Sequence, residues 1–262
     1  MKLRATILAS AGALALAAFT AGAAQAAAPA DFAGVLSADY GHLDASNGGG
    51  SGNSWGINGS GEFGLGGSGF AGEIDGGYRN LSGGGLHAND WSIDGSVFWH
   101  MTHGRLGAVI GYNSVDVSGG GTGHLTNYGG FGEWFAGSNV NLGLKAGGFT
   151  GSNHTDGDYL GAAATFYAMP DLAITGGYDY THVQHFGNEN DWTIKGEWLV
   201  SEKTPVSLFA GYTNSHITGG DSANIWFIGV KLYTNGDGSS TLVDRQRNGA
   251  ATWGTSFTAT RF

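Results

Sequence analysis

The sequence predicts an all-β chain whose twelve antiparallel strands form an up-and-down transmembrane β-barrel, with fourteen strands as the alternative. Three observations predict this class. Segments of about ten to thirteen residues alternate apolar with polar positions, aromatic residues stand at both ends of the apolar faces, and short turns alternate with longer polar stretches. A tilted strand needs about 9–11 residues to cross a bilayer, whereas the strands of soluble sheets average about 5–6.

The first segment is predicted to be an export signal. A short positive start precedes an uncharged, alanine-rich stretch over residues 5–30, which contains the small-residue pattern Ala24-Gln25-Ala26. These features are typical of a secretory signal peptide, so we expect residues 1–26 to be removed. A transmembrane helix is the less favoured alternative, because only about fifteen of these residues are strongly apolar.

The period of the pattern assigns the two faces of each strand. From Trp55 onward the odd positions carry Trp55, Ile57 and Phe63 with glycine between them, whereas the even positions are small or polar. A helical period fails, and 51 glycines in 262 residues would be costly in helices. We predict strands over residues 31–42, 54–66, 69–81, 89–101, 104–117, 124–136, 139–151, 158–168, 171–183, 190–201, 204–216 and 223–233.

The connections between these strands alternate in length. Short turns are predicted near residues 67, 103, 138, 170 and 202. Long loops are predicted over residues 42–53, 82–89, 118–124, 152–157, 184–190 and 217–222. Transmembrane barrels commonly have short turns at one end and long loops at the other.

Aromatic residues form two rings on the apolar face. Strands that leave a long loop begin with an aromatic residue: Trp55, Trp91, Tyr128, Tyr159, Trp192 and Trp226. Strands that lead into a long loop carry a tyrosine toward their end: Tyr40, Tyr78, Tyr112, Tyr178 and Tyr212. The second ring comprises Phe63, Trp99, Trp134, Tyr167, Trp198 and Leu232. Trp and Tyr prefer membrane interfaces because their rings are apolar and can also donate a hydrogen bond. The apolar face is therefore predicted to meet lipid.

The opposite face carries ionisable side chains and is predicted to line a pore. The candidate pore-lining residues are Glu62, Glu73, Asp75, Arg79, Asp94, Arg105, Glu133, Lys145, Lys195, Glu197 and Lys231. His100 is predicted to lie on the same face. The acids concentrate on the earlier strands and the lysines on the later ones, which predicts an acidic wall opposite a basic wall. The alternative is a closed structural barrel, in which these charges pair and fill the interior.

Histidines collect near the predicted long loops. A speculative metal-binding or acid-sensing rim would consist of His42, His87, His124, His154, His182, His185 and His216. No recognised ligand spacing supports the metal hypothesis. The sequence has no cysteine and a net charge of −10, which excludes thiolate sites and argues against nucleic-acid binding. No cofactor is expected.

Over about residues 31–233 the combined pattern resembles the porin-like outer-membrane β-barrels of proteobacteria. The resemblance implies location in the outer membrane of a Gram-negative cell, with the short turns in the periplasm. It also implies contact with outer-membrane lipid and lipopolysaccharide, insertion by the barrel-assembly machinery, and passive ion and solute transport without catalysis. A non-conducting structural barrel is the alternative. A lipid-modifying enzyme is a lower one, for which Asn214-Ser215-His216 is the nearest match to a Ser/His pair.

Residues 234–262 depart from this pattern. Such barrels usually end on their last strand, whereas here a segment with poor alternation and several charges follows residue 233. We expect a periplasmic tail or a plug in the lumen. Two further strands are the alternative.

Overall fold

The structure is a computed structural model, which describes nine ranges of the chain. These are residues 32–46, 50–66, 69–83, 86–152, 155–184, 187–201, 204–218, 222–234 and 241–249. The predicted signal peptide lies outside them, so its boundaries stay predictions.

Twelve antiparallel strands close into one barrel. They are β1 Phe32–Ala45, β2 Gly50–Gly64, β3 Phe70–Gly83, β4 Leu86–Met101, β5 Gly104–Val117, β6 Gly121–Ala136, β7 Val140–Gly151, β8 Gly157–Met169, β9 Leu172–Val183, β10 Gly187–Ser201, β11 Thr204–Ile217 and β12 Ser222–Tyr233. Each strand pairs with the next, and β12 pairs with β1 from Tyr233 opposite Val35 to Ala223 opposite Ala45. This confirms the predicted twelve-stranded, up-and-down fold. The fourteen-strand alternative is wrong, because the closure leaves no strand edge open.

The register of the strands fixes the tilt of the barrel. Partner residues followed once around the barrel from Phe32 lead back to β1 at Ser46, fourteen residues farther along, so the shear number is 14. Twelve strands with this shear tilt by about 40°, within the usual range. With neighbouring strands about 4.8 Å apart, the backbone radius is about 12 Å. Long side chains therefore project into, and narrow, an interior of limited width.

The strands extend farther at the loop end than the sequence predicts. β2 begins at residue 50 instead of 54, β6 at 121 instead of 124, and β10 at 187 instead of 190. Several predicted long loops are therefore mostly strand, which corrects their boundaries. The reason is that pairing continues where both faces have become polar, so the alternation that marks a strand disappears while its hydrogen bonds remain.

The outward face is apolar across the middle of the barrel and aromatic at both ends. Ile110 and Ile228 leave 63% and 62% of their surfaces exposed. At the loop end, Tyr and Trp rings pack against each other, as in Tyr212 and Trp226 with ring centroids 4.6 Å apart. The Tyr212 hydroxyl also donates a hydrogen bond to Asn224. This apolar band with an amphipathic border matches the lipid-facing surface of a transmembrane barrel.

Strand β8 corrects one part of the predicted aromatic rings. Tyr159 and Tyr167 are 3% and 4% exposed and face the interior, whereas Leu160 and Phe166 are exposed on the outside. The register with β7 and β9 decides this orientation, since it places Gly161 between the inward-facing Lys145 and Asp179. Small residues on both faces of β8 had left its pattern ambiguous.

A charge placed in the middle of the outward face tests this orientation. We expect Ile110→Arg to lower the free energy of unfolding in lipid vesicles by about 2–4 kcal/mol, because the guanidinium would lie at the bilayer midplane. Asp116 lies on the same face of β5, at its exposed loop end. Asp116→Arg should therefore lower the free energy of unfolding by at most about 1 kcal/mol. Equal costs in a denaturant titration would contradict the assignment of the lipid-facing surface.

A short helix, α1, spans Leu242–Asn248. The Thr241 hydroxyl caps its first turn by accepting a hydrogen bond from the backbone N–H of Asp244, 3.1 Å away. Asp244 lies in the first turn and Arg247 in the last, which suits the helix dipole. No helix in the described part of the chain has both the length and the apolar character needed to cross a membrane.

Candidate functional site: the barrel interior

The structure places all eleven candidate pore-lining residues on the inward face. Nine of them are also buried by their neighbours: Glu62, Glu73, Asp75, Arg79, Asp94, Arg105, Lys145, Glu197 and Lys231. Glu133 and Lys195 are partly exposed. Alternation therefore predicted their orientation correctly. That they line a pore stays a prediction, taken up below.

Arg105 is the centre of an ionic cluster at the short-turn end. Its guanidinium lies 2.6 Å from Glu133 Oε2 and 3.7 Å from Glu62 Oε2. The other Glu62 oxygen is 2.7 Å from His100 Nε2. Arg105 itself is 1% exposed. Three strands are joined through this one side chain, because β2, β5 and β6 each contribute a charged partner.

Glu197 is the centre of a second cluster, on the opposite side of the barrel. One of its oxygens accepts hydrogen bonds from Ser207 Oγ at 2.7 Å and from the Tyr233 hydroxyl. The other lies 2.8 Å from Lys231 Nζ and 3.8 Å from Lys195 Nζ. Glu197 is 1% exposed. One carboxylate thus compensates two neighbouring lysines in the interior.

The predicted separation into an acidic and a basic wall is wrong. Lys145 lies 3.3 Å from Asp179, and Lys231 is paired with Glu197. On the earlier strands, Arg79 binds Asp39 through two hydrogen bonds of 2.9 Å. The error arises because five inward acids were missed: Asp39, Asp90, Asp179, Glu189 and Asp191. The alternation of the strands indicates the inward orientation of these acids. Asp39, for example, directly precedes the outward-facing Tyr40.

One stretch of the wall has polar atoms with no protein partner. It lies on β2 and β4 and comprises Asn58 Oδ1, Ser60 Oγ, Ser92 Oγ, Asp94 Oδ2 and Ser96 Oγ. Each of these atoms is covered by neighbouring protein atoms and has almost no accessible surface. A buried polar atom left without a hydrogen bond costs about 1–3 kcal/mol, so a group of five on one wall requires water or ions beside it.

Helix α1 lies against the interior at the short-turn end. Arg105 donates hydrogen bonds to the carbonyls of Gly249 at 2.7 Å and Gln246 at 2.9 Å. The Tyr167 hydroxyl donates to Gln246 Oε1 at 2.8 Å. Fully buried Leu242 joins an apolar cluster whose other buried members are Val35, Tyr167, Ala173, Leu199 and Tyr233. The sequence signal for this helix was the Thr241 cap, which the strand-based prediction overlooked.

Arg247 fastens the last turn of α1 to the edge of the barrel. Its guanidinium donates to Asn141 Oδ1 at 2.8 Å, to the Gly137 carbonyl at 2.9 Å and to the Val140 carbonyl at 3.0 Å. Partial burial lowers the pKa of Arg247 from its usual value, although an arginine remains charged at neutral pH. Contacts from β1, from each of the strands β5 to β10 and from β12 therefore hold the helix across this end.

The rim histidines are spread around the barrel. His42, His87, His124, His182 and His216 are on the outward face, each beyond the aromatic ring of the loop end, while His154 and His185 lie outside the described residues. His42 contacts Asn53 at 2.9 Å and Asp44 at 3.4 Å. Among the described residues, no three His, Asp or Glu side chains lie together as a metal-binding group.

The candidate Ser/His pair does not form in the structure. Ser215 faces the interior, where its hydroxyl donates to Glu189 Oε1 at 2.8 Å. His216 faces outward and contacts Ser222 Oγ at 2.9 Å. Adjacent residues on a strand point to opposite faces, so Ser215 and His216 cannot meet as a catalytic dyad.

No family model matches the chain, and no curated protein matches it. Solved structures do. The COG4313 outer membrane channel from Pseudomonas putida F1 has a TM-score of 0.56 at 10% identity, covering 82% of this chain and 100% of that one. The NanC porin has a TM-score of 0.55 at 12% identity, covering 75% and 98%. The fold is that of an outer-membrane porin-type barrel.

A third similar structure is a porin with a bound sugar polymer. The KdgM porin in complex with disordered oligogalacturonate has a TM-score of 0.51 at 12% identity and covers 75% of this chain and 98% of that one. At these identities the likeness concerns the fold alone. It confirms the resemblance to outer-membrane porin-like barrels that the sequence pattern indicated.

Proposed function

We propose that this protein is a narrow pore in the bacterial outer membrane, through which small hydrophilic solutes and ions diffuse passively. The observation that carries the proposal is the group of unpartnered polar atoms on β2 and β4. A dry interior would leave these atoms without hydrogen bonds, whereas water in a filled lumen supplies them once the side chains that cover them move aside. Small inward residues leave room for that water, as at Gly177, where an added Cβ would meet no atom closer than 3.7 Å.

The location follows from the same fold. The exposed apolar band and its aromatic borders suit a bilayer, and the similar solved structures are outer-membrane channels and porins. We infer export by the signal peptide over residues 1–26, insertion by the barrel-assembly machinery, and contact with outer-membrane lipid and lipopolysaccharide. In this orientation the short turns and α1 face the periplasm.

The tail is proposed to act as a plug that narrows the periplasmic mouth. Arg105 and Tyr167 extend from inside the barrel to bind Gln246, and Leu242 packs into the apolar cluster at this end. Because α1 is held by the barrel walls and not by a strand edge, it narrows the passage without taking part in closure of the sheet.

A non-conducting structural barrel is the second candidate. The extensive pairing around Arg105 and Glu197 favours it, since such clusters can fill a barrel interior. The unpartnered atoms of β2 and β4 favour the pore. Catalysis has no comparable support, because Ser215 and His216 lie on opposite faces of β11 and the similar solved structures are channels and porins.

Solute permeation distinguishes the two candidates. Liposomes that contain the purified full chain are expected to swell in an isotonic solution of a small neutral sugar, and to swell little in a large one, because the lumen is narrow. Protein-free liposomes and liposomes with a small, side-chain-filled barrel serve as controls. Swelling no faster than in these controls would support the structural barrel.

A further inference from the structure

We propose that the lumen selects for cations and that an oxygen-lined site at Asp75 and Asp94 holds them in transit. This inference rests on the proposed pore and names the class of ion that it passes. The expected ions are hard cations such as K⁺, Na⁺ and Ca²⁺, which prefer carboxylate, hydroxyl and amide oxygens.

The charge balance of the interior is the first observation. Eleven acidic side chains of the described strands face inward: Asp39, Glu62, Glu73, Asp75, Asp90, Asp94, Glu133, Asp179, Glu189, Asp191 and Glu197. Five basic side chains of the described strands face inward: Arg79, Arg105, Lys145, Lys195 and Lys231. A low-dielectric passage with this surplus of negative charge concentrates cations and repels anions. Oligogalacturonate, the polyanion bound by one similar porin, is therefore unsuited to this lumen.

Two carboxylates, those of Asp75 and Asp94, lie side by side on the inward face of neighbouring strands. Asp75 on β3 is the register partner of Asp94 on β4, so their side chains leave the same face at adjacent positions. Like charges directly opposite on neighbouring strands are destabilising. A cation between them would offset this repulsion.

The surroundings of Asp94 provide free oxygen ligands. Asp94 Oδ2 has no hydrogen-bond partner, and the same is true of the hydroxyls of Ser92 and Ser96, one inward position to either side on β4. All three residues are at most 5% exposed. Ser60, whose hydroxyl also lacks a partner, is the register partner of Asp75. These oxygens come from three adjacent strands, since Ser60, Asp75 and Asp94 are successive register partners on the inward face of β2, β3 and β4.

A hydrogen-bond network holds the Asp94 carboxylate in place by its other oxygen. Asn127 Nδ2 donates to Asp94 Oδ1 at 3.2 Å, and Asn113 Nδ2 donates to Asn127 Oδ1 at 3.0 Å. Between these strands, Gly111 provides the necessary space, since a Cβ there would collide with the Asp94 carboxylate. The network thus leaves Oδ2 as the available ligand.

The basic residues of the described strands form ion pairs with carboxylates other than Asp94. Arg79 binds Asp39, Arg105 binds Glu62 and Glu133, and Lys145 binds Asp179. None of the ion pairs among the described residues includes Asp94. The charge at Asp94 is therefore available to a mobile cation. With two carboxylates, the site suits a passing ion better than a tightly held metal.

The test is the reversal potential of the full chain in a planar bilayer under a KCl gradient. The wild-type protein is expected to prefer K⁺ over Cl⁻. The double variant Asp75→Asn, Asp94→Asn should lower the K⁺/Cl⁻ permeability ratio about threefold or more, because it removes two charges from the passage without changing side-chain size. The single variant Asp94→Asn should lower the K⁺/Cl⁻ permeability ratio by a smaller factor. It replaces the double variant in the test if the double variant folds poorly.

The matched control is Asp116→Asn, which removes one negative charge from the exposed outward face of β5 and should leave the ratio unchanged. Two results would overturn the cation site while leaving the pore intact. One is a preference of the wild-type channel for Cl⁻, and the other is the same K⁺/Cl⁻ permeability ratio in the wild type, the Asp94→Asn variant and the double variant. Absence of ion conduction through the folded wild-type barrel would instead overturn the proposed function, and the site with it.

Discussion

A chain that ends at residue 240 is expected to conduct several-fold more current than the full chain. The truncation removes α1 and the Gly249 that follows it. The carbonyls of Gln246 and Gly249 bind Arg105, and Leu242 packs into the apolar cluster at the short-turn end. The barrel should remain closed, because β12 and β1 pair independently of the tail. The expected increase comes from the wider mouth, since eight strands hold the helix across it.

Single-channel recordings of both chains measure this effect. Leu242→Asp in the full chain should reproduce much of the increase, because a carboxylate cannot be buried among Val35, Tyr167 and Leu199 without a partner. Asn248→Asp, which places the same carboxylate at an exposed position of the same helix, is the matched control and should change the conductance little. Equal conductance in the full and truncated chains would show that α1 does not narrow the pathway.

Glu197→Ala is expected to lower the free energy of unfolding by about 3–5 kcal/mol, the usual cost of removing one partner of a buried ionic cluster. The substitution would leave Lys195 and Lys231 without their shared carboxylate, and Ser207 and Tyr233 without their acceptor. The effect arises in the folded barrel, because both lysines remain in water in the unfolded chain. Denaturant unfolding in lipid vesicles gives the measurement.

A paired substitution separates the ionic effect from the loss of packing. Glu197→Met combined with Lys231→Met replaces one carboxylate and one lysine with apolar side chains, and should recover part of the lost stability. Asp116→Asn, on the exposed outward face, should stay within about 0.5 kcal/mol of wild type. A cost below about 1 kcal/mol for Glu197→Ala would mean that lumen water hydrates the lysines and that this cluster contributes little stability.

The sequence predicted those features of the fold that depend on one strand at a time. Apolar residues at every second position identified the outward face, so Ile110 and Trp226 were placed correctly, and so were inward residues such as Glu62 and Lys145. Where the pattern weakens, prediction failed. The small residues of β8 hid the inward orientation of Tyr159, and the polar residues near Gly50 and Gly121 hid the ends of β2 and β6.

Features that depend on register could not be predicted from one sequence. Lys145 meets Asp179 across β8, and Arg79 meets Asp39 across β2. Such contacts require the stagger of several strands, because a shift of one residue turns every side chain to the other face. The seat of α1 is similarly non-local, since Arg105 and Gln246 are 141 residues apart. Their contact depends on the closed barrel.

Single-channel recording of the purified full chain in planar bilayers is the most direct test of the central claim, a water-filled lumen that conducts ions. We predict discrete steps of uniform, small conductance, as expected for a narrow passage through twelve strands. The contradicting result is the absence of steps from a barrel that circular dichroism shows to be folded, both in the full chain and in the chain that ends at residue 240. The interior would then be a closed structural core.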